Sequence, residues 1–234
     1  MESKTPRVYR YLPLDYGLEA LQQDRFKVGR MQELNDPFDC FPRLTNGSLD
    51  QGEASVSLPS SFLHTFASQL GLICYSARVT DPVIWSHYAE AHKGIAIGFD
   101  FTENYGLRRV EYREERFELD VRGIVEAKNG GGVADLIEVL SKAFTVKATS
   151  WGYEEEYRRF RPLDNLFLYG RHYFERLPCG ILREVVIGAK SPIEVCDMIR
   201  CLNGRASDKL PEPQRIVVKK ARMSPMKHEM LIGD

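Results

Sequence analysis

The sequence lacks any long apolar run: nowhere do the roughly eighteen consecutive apolar residues that a membrane-spanning helix needs occur. Residues 1–10 are polar and lack the apolar core of a secretory signal. We therefore expect a protein that stays in the cytoplasm and has no membrane partner.

Cysteine pairs and excess charge are also lacking. The five cysteines are an odd number with no C-x-x-C pair, which argues against a disulfide framework or a zinc knuckle. The formal net charge is −1, from 32 basic and 33 acidic residues, so no global field steers nucleic acid or an anionic membrane.

Several familiar site motifs are missing as well. The chain has no G-x-S-x-G elbow, no Walker loop and no G-x-G-x-x-G. His87 and His92 are five residues apart, without a glutamate at metalloprotease spacing between them. We therefore expect no metal cofactor.

What is present is the composition of an ordinary globular protein, with 43% hydrophobic and 28% charged residues in a chain of 234. Short apolar β-type segments alternate irregularly with helical patterns, which favours an α+β fold with a mixed or mainly antiparallel sheet. We expect one domain over residues 1–234, with a mobile surface excursion near 45–60 and a flexible break near 129–133. The oligomeric state is left open.

The clearest core strand covers residues 94–100, where glycines suggest close approach by another backbone or a ligand. The segments around Ile73, Ile97, Val186 and Val217 are β-branched and apolar, and we expect all four residues to be buried in one sheet system. Pro82 is expected to open a helix.

Residues 153–160 are predicted to form a strand that turns Glu154, Glu156 and Arg158 to one face. Two interpretations stay open. The segment is an exposed edge strand whose charges pair across to a neighbour, or it is the wall of a site. In a site, one carboxylate would do acid–base or oxocarbenium-stabilising work while Arg158 orients the other.

The loop at 34–39, Leu-Asn-Asp-Pro-Phe-Asp, also has two interpretations. As a structural turn, Asn35, Asp36 and Asp39 would bond backbone amides of their own loop and Phe38 would be buried. As part of a site, the rigid loop would hold a ligand with Asn35 or Asp36.

Together these segments resemble a bacterial domain-of-unknown-function family, DUF2971, over residues 7–190. The residues that carry the resemblance are Tyr9-Arg10-Tyr11, the loop at 34–39, Trp85-x-x-Tyr88-Ala89, residues 93–99, and Lys147-x-x-x-Trp151-x-x-Glu154-x-Glu156-x-Arg158.

A more distant similarity is to the NAD-dependent ADP-ribosyltransferases, in which an early Arg or His, a middle Ser or Tyr and a late Glu follow in that order. Here Arg10 matches the first, Ser76 or Tyr88 the second, and Glu154-x-Glu156 the third. This similarity implies an enzyme that uses NAD as its substrate, by ADP-ribosyl transfer to a protein or nucleic-acid acceptor or by NAD hydrolysis, as a toxin or anti-phage effector.

The same resemblance implies roles for individual residues. Glu156 would be the catalytic carboxylate and Glu154 would orient the acceptor, while Trp85 or Tyr88 stacks on nicotinamide. Arg10 would contact the cofactor's phosphate or ribose, and Ser76 and Arg158 complete the expected cofactor-binding residues.

Two rival functions are considered. The first is a non-catalytic module that binds a peptide, nucleotide or protein, and the second, ranked last, is a metal-dependent nuclease. An enzyme requires the Glu156 carboxylate to lie in a concave pocket within about 10 Å of the Arg10 guanidinium or the Tyr88 ring. In that case we expect Glu156→Gln to abolish turnover with little loss of folding.

Overall fold

The computed structural model describes residues 6–45, 67–120, 124, 140–176, 180–203 and 216–233. The excursion predicted near 45–60 and the break predicted near 129–133 lie, apart from Thr45, outside these residues. The helices are α1 (Leu14–Gln22), α2 (Pro82–Tyr88) and α3 (Val195–Leu202). The strands are β1 (Val8–Leu12), β2 (Arg25–Arg30), β3 (Arg43–Thr45), β4 (Leu70–Ser76), β5 (Ile95–Phe99), β6 (Leu107–Arg109), β7 (Glu111–Arg113), β8 (Glu118–Asp120), β9 (Val146–Ala148), β10 (Glu156–Pro162), β11 (Phe167–Tyr169), β12 (His172–Arg176), β13 (Leu182–Ile187), β14 (Val217–Met223) and β15 (Met230–Gly233).

Most strands join one large sheet in the order β11-β12-β2-β4-β1-β5-β13-β14-β15, while β10 lies against β4 and β6. Its neighbours are antiparallel except for the parallel pair β13–β14. Two small parallel ladders, β3–β8 and β7–β9, accompany it. The predicted α+β class with a mainly antiparallel sheet is confirmed. Within the described residues, no helix has the length and apolar character to cross a membrane.

Strand β5 lies at the centre of the core because both of its faces are covered. Ile95, Ile97 and Phe99 pack on the face that carries α1 and α3, whereas Ala96 packs with Trp85 of α2 on the opposite face. The strand is buried along its whole length, as the apolar run predicts.

Two glycines explain how closely the chain packs around β5. A Cβ on Gly94 would overlap the carbonyl oxygen of Leu12 and the backbone of Ala89, and one on Gly98 would meet the Tyr9 ring. The close approach of another backbone predicted from these glycines is therefore confirmed at Gly94, whereas the close neighbours of Gly98 are side-chain atoms.

The four segments predicted to share a sheet do so, but they are not equally buried. Ile73, Ile97 and Val186 are buried, whereas Val217 is 48% exposed. Val217 begins β14, which has only β15 beyond it in the described sheet, so the edge of the sheet leaves this apolar side chain in solvent. The prediction for Val217 was wrong.

Helix α2 has a strong N-terminal signal. The Asp81 side chain accepts hydrogen bonds from the backbone amides of Val83 (2.8 Å) and Ile84 (3.3 Å), and Pro82 occupies the first helical turn. The helix ends at Tyr88 and therefore holds that side chain at its last turn.

The strand predicted over residues 153–160 begins later than expected. Thr149–Glu154 is a 3₁₀ helix, Glu155 has a left-handed φ of 42°, and β10 starts at Glu156. Glu154 and Glu156 therefore do not alternate along one strand as predicted. A turn at Glu155 brings the two side chains to the same side instead. The edge-strand interpretation was also wrong, because β10 lies between β4 and β6.

Candidate functional site

Five charged side chains form a buried cluster at the start of β10. The cluster consists of Asp39, Lys147, Glu154, Glu156 and Arg158, and all five are almost completely inaccessible to solvent. They come from the loop at 34–39, from β9, from the end of the 3₁₀ helix and from β10. We call this set the charge cluster.

Arg158 is the fixed centre of the charge cluster. Its Nε and Nη2 donate to the two oxygens of Glu156 at 2.8 and 2.9 Å, and its Nη1 and Nη2 donate to the two oxygens of Asp39 at 2.7 and 2.6 Å. Nη1 also donates to the Phe144 carbonyl oxygen at 2.7 Å. These bonds engage every N–H of the guanidinium, so Arg158 is satisfied within the protein.

Lys147 joins the two glutamates. Its Nζ lies 2.6 Å from Glu154 Oε2 and 3.1 Å from Glu156 Oε2, with Asp39 Oδ2 at 3.8 Å. The ammonium also lies 4.7 Å from the centre of the Trp151 ring. One cation therefore holds both carboxylates beside each other in a region from which water is largely excluded.

The two glutamates have opposite electrostatic environments. Burial alone would raise the pKa of Glu156, but attraction and hydrogen bonds from Arg158, followed by Lys147, outweigh it and lower the pKa to about 2. For Glu154, burial is the largest effect and raises the pKa, although Lys147 and Tyr88 oppose it. Glu156 is firmly ionised, whereas Glu154 can take up a proton more readily.

Tyr88 completes the surroundings of Glu154. Its hydroxyl donates to Glu154 Oε1 at 2.6 Å, and burial followed by this bond to Glu154 raises the pKa of Tyr88. Glu154 is thus bonded by a neutral hydroxyl at one oxygen and by an ammonium at the other.

Backbone contacts hold the turn that carries the glutamates. Ser76 Oγ donates to the Glu154 carbonyl at 2.5 Å, and the Ala77 amide donates to the Glu155 carbonyl at 3.1 Å. The Glu156 amide donates to the Tyr112 hydroxyl at 2.8 Å. These bonds compensate for the left-handed conformation of Glu155, which L-residues other than glycine rarely adopt.

A concave pocket of about 140 Å³ opens beside the charge cluster. Glu154, Glu156 and Lys147 form its charged wall, while Tyr9, Tyr11 and Ile84 are among its apolar neighbours. A volume of this size holds one six-membered ring, as a dry cavity of about 150 Å³ does for benzene.

The structure brings some of the predicted site residues together at this pocket. Glu154, Glu156, Tyr88 and Ser76 all line it. Ser76 serves the backbone of Glu154, and Arg158 lies behind the glutamates, fully enclosed by its ion pairs.

Arg10 and Trp85 are placed elsewhere. Side chains alternate along β1, so Tyr9 and Tyr11 face the pocket while the Arg10 guanidinium lies on the other face, 5.0 Å from the Phe26 ring and bonded to the Lys27 carbonyl. Trp85 is completely buried, with its indole nitrogen donating to the Val79 carbonyl. Neither residue presents its polar atoms to the pocket.

The loop at 34–39 only partly follows the structural interpretation. Asp36 Oδ1 accepts from the Phe38 amide at 2.9 Å, which is an Asx turn as expected. Phe38, however, is 66% exposed, and the Asp39 carboxylate bonds Arg158 rather than its own loop. Both expectations were wrong, and for Asp39 the reason is that an ion pair with a buried guanidinium outweighs a local amide bond.

Sequence reasoning gave Asp39 a role only within its own turn, and it gave Lys147 and Tyr112 no role in the site. The only local signal was that Lys147 and Asp39 lie within segments of the family resemblance. Their convergence depends on long-range packing, since Asp39 is 119 residues from Arg158.

Comparison with known protein families gives a match to part of the chain. Residues 84–159 match a family model described as "Protein of unknown function (DUF2971)", which confirms the resemblance to that domain-of-unknown-function family for this stretch. The matched residues include Tyr88, Lys147, Glu154, Glu156 and Arg158, but not Asp39. No curated protein and no solved structure matches the chain.

Proposed function

We propose that the pocket binds the positively charged nicotinamide ring of NAD, and that Glu154 assists cleavage of the bond between this ring and ribose. The observation that carries the proposal is a carboxyl group with a raised pKa in the wall of a ring-sized pocket. Carboxyl groups shifted in this way are typical of acid–base catalysts.

The charge of the site favours a cationic ring. When every member is ionised, the three carboxylates of the charge cluster exceed its two cations by one negative charge. In a region of low polarity this excess attracts a cation more strongly than it would in water. An oxidised nicotinamide ring is flat and positively charged, and its size fits the volume of the pocket.

Glu154 suits the reacting role better than Glu156. Both oxygens of Glu156 are bonded by Arg158, and its low pKa makes it a poor proton carrier. Among the described residues, Glu154 Oε1 is bonded by the Tyr88 hydroxyl alone, which a ligand can displace without breaking an ion pair. The proposal therefore moves the catalytic role that the resemblance implies for Glu156 to Glu154, and it gives Arg10 no part.

The reaction is a displacement at the ribose C1′ atom. The C–N bond breaks, its electron pair leaves with nicotinamide, and the Glu154 carboxylate stabilises the positive charge that develops on the ribose. In hydrolysis, water then bonds to C1′ and gives a proton to Glu154. In ADP-ribosyl transfer, a nucleophile of a protein or nucleic acid takes the place of water.

The test combines binding with turnover. We expect NAD to raise the melting temperature of the protein more than NADH does, because the reduced ring is neutral. Release of nicotinamide, followed by chromatography, should fall by at least about 100-fold in Glu154→Gln. The control Glu155→Gln changes the adjacent, exposed carboxylate that pairs with Arg78 and should leave the rate unchanged. Equal turnover in the two variants would exclude the role of Glu154.

A second candidate is a non-catalytic binding module for a small cationic ring. It is favoured by the burial of the charge cluster, whose carboxylate side chains are at most 5% exposed to solvent. In that case nicotinamide and NAD would bind with the same stoichiometry and NAD would remain intact. Binding without nicotinamide release distinguishes this function from catalysis.

A further inference from the structure

Strand β11 (Phe167–Tyr169) is the last strand on its side of the described sheet. All three of its side chains are exposed, by 39%, 58% and 64% along the strand. Edge strands of stable monomers usually carry charged residues or proline, which discourage pairing with another chain. The sequence Phe-Leu-Tyr has neither, so the shortness of this three-residue strand is the one such protection that β11 itself carries.

The hairpin determines which backbone groups face outward. Tyr169 pairs with His172 across the two-residue turn Gly170–Arg171, and Phe167 pairs with Phe174. Gly170 has a φ of 61° at the first turn position, where tight hairpins need glycine. In such a ladder hydrogen-bonded pairs alternate with unbonded ones, so the Leu168 N–H and C=O point away from β12, towards the side of β11 on which no described strand pairs.

The aromatic side chains of this edge are held in place from behind. The Phe167 ring stacks on Phe174 with centroids 5.8 Å apart. The Arg25 guanidinium lies 4.7 Å from the Tyr169 ring and 4.5 Å from the Phe174 ring. Little side-chain freedom is therefore lost when another strand packs against them.

We propose that two copies of the chain pair antiparallel through β11, about a two-fold axis that passes beside Leu168. Symmetry requires the central residue to lie opposite itself, and Leu168 is the residue whose backbone groups face outward. This register places Phe167 opposite Tyr169 of the second copy on one face, and Leu168 opposite Leu168 on the other. Aromatic cross-strand pairs stabilise such an arrangement.

Charge complementarity favours a second copy over an unrelated peptide. Asp164 and Arg171 are exposed at opposite ends of the edge. Antiparallel pairing brings the end with Asp164 against the end with Arg171 of the other copy, twice in each dimer. A parallel or shifted arrangement would place like charges closer together.

Sedimentation velocity over a range of protein concentration tests the dimer. The mass is expected to rise from 26.8 kDa towards twice that value as concentration increases. Asp164→Arg and Arg171→Asp should each weaken the dimer at least tenfold, and the double reversal should restore it. A monomer at every concentration, or a double variant weaker than both single ones, would overturn the proposal.

Cross-linking tests the register. Cα atoms of a hydrogen-bonded antiparallel pair lie about 5.5 Å apart, within the range of a disulfide. Mild oxidation of Leu168→Cys should therefore give a covalent dimer well above the background of the unaltered chain. Tyr16→Cys, at a site 67% exposed, is the exposure-matched control, and equal cross-linking of the two variants would contradict pairing through β11.

Discussion

At the scale of single residues, the charge cluster shows that the surroundings of a glutamate determine its pKa. Glu154 and Glu156 are separated by one residue and share the Lys147 ammonium. Only Glu156 faces the guanidinium of Arg158, and this difference lowers its pKa while the pKa of Glu154 is raised. Sequence alone assigned catalysis to Glu156, because it cannot show which carboxylate the buried arginine holds.

Glu156→Gln is expected to lower the free energy of unfolding by about 3 kcal/mol or more, since removing one partner of a buried ion pair leaves uncompensated charge. Glu154→Gln should lower the free energy of unfolding by clearly less, because burial already disfavours the ionised form of Glu154. Urea unfolding of both variants, with Glu155→Gln as a control, measures the difference. This result would reverse the expectation from sequence that Glu156→Gln causes little loss of folding. Equal losses of unfolding free energy in Glu156→Gln and Glu154→Gln would contradict the different environments assigned to the two glutamates.

Tyr88→Phe tests the hydrogen bond between Tyr88 and Glu154. The hydroxyl donates to the carboxylate and so lowers its pKa; removal of the hydroxyl should raise that pKa further. The ascending limb of the pH profile of nicotinamide release should move to higher pH in Tyr88→Phe. A Tyr16→Phe control, at an exposed site, should leave the profile in place.

At the scale of elements, prediction from sequence worked where the local pattern was complete. The apolar run of β5 and the proline that opens α2 carry their own signals, and both elements formed as expected. The failures occurred where distant contacts decide. Glu155 adopts a left-handed conformation because Ser76 and Ala77 bond the carbonyls on either side of it, and Asp39 leaves its turn to reach Arg158.

Asp81→Ala is expected to reduce the free energy of unfolding by about 1 kcal/mol, because two amides of α2 lose their acceptor. The end of α2 should become less ordered, so ligand binding at Tyr88 should weaken as well. Asp197→Ala is the matched control: Asp197 lies in the first turn of α3 and forms an exposed pair with Arg200, which contributes at most about 0.5 kcal/mol. Urea unfolding and ligand titration measure the two effects.

At the scale of the whole molecule, the near-neutral net charge hides an uneven distribution. Most ion pairs of the described residues are at the surface, such as Arg113–Glu111 and Arg200–Asp197, and contribute little because water and salt screen them. The buried charge cluster is protected from that screening. The pH dependence of global stability should therefore report on the charge cluster more than on the surface pairs.

The dependence of the free energy of unfolding on pH is expected to have two parts of opposite sign. The pKa of Glu156 is lowered from 4.5 to about 2 in the folded state, so its stabilising contribution is complete above pH 4.5 and is lost as the pH falls towards 2. The shift corresponds to about 3 kcal/mol. The pKa of Glu154 is raised, so the stabilisation from this group decreases as the pH rises above 4.5 through its folded value.

Asp100 and Glu184 also have lowered pKa values and add to the pH dependence of the unaltered chain. The quantity to follow is therefore the difference in the free energy of unfolding between the unaltered chain and Glu154→Gln. Urea unfolding from pH 3 to pH 8 should show the stability loss caused by Glu154→Gln becoming smaller as the pH rises above 4.5, and a loss independent of pH would exclude a raised pKa at Glu154.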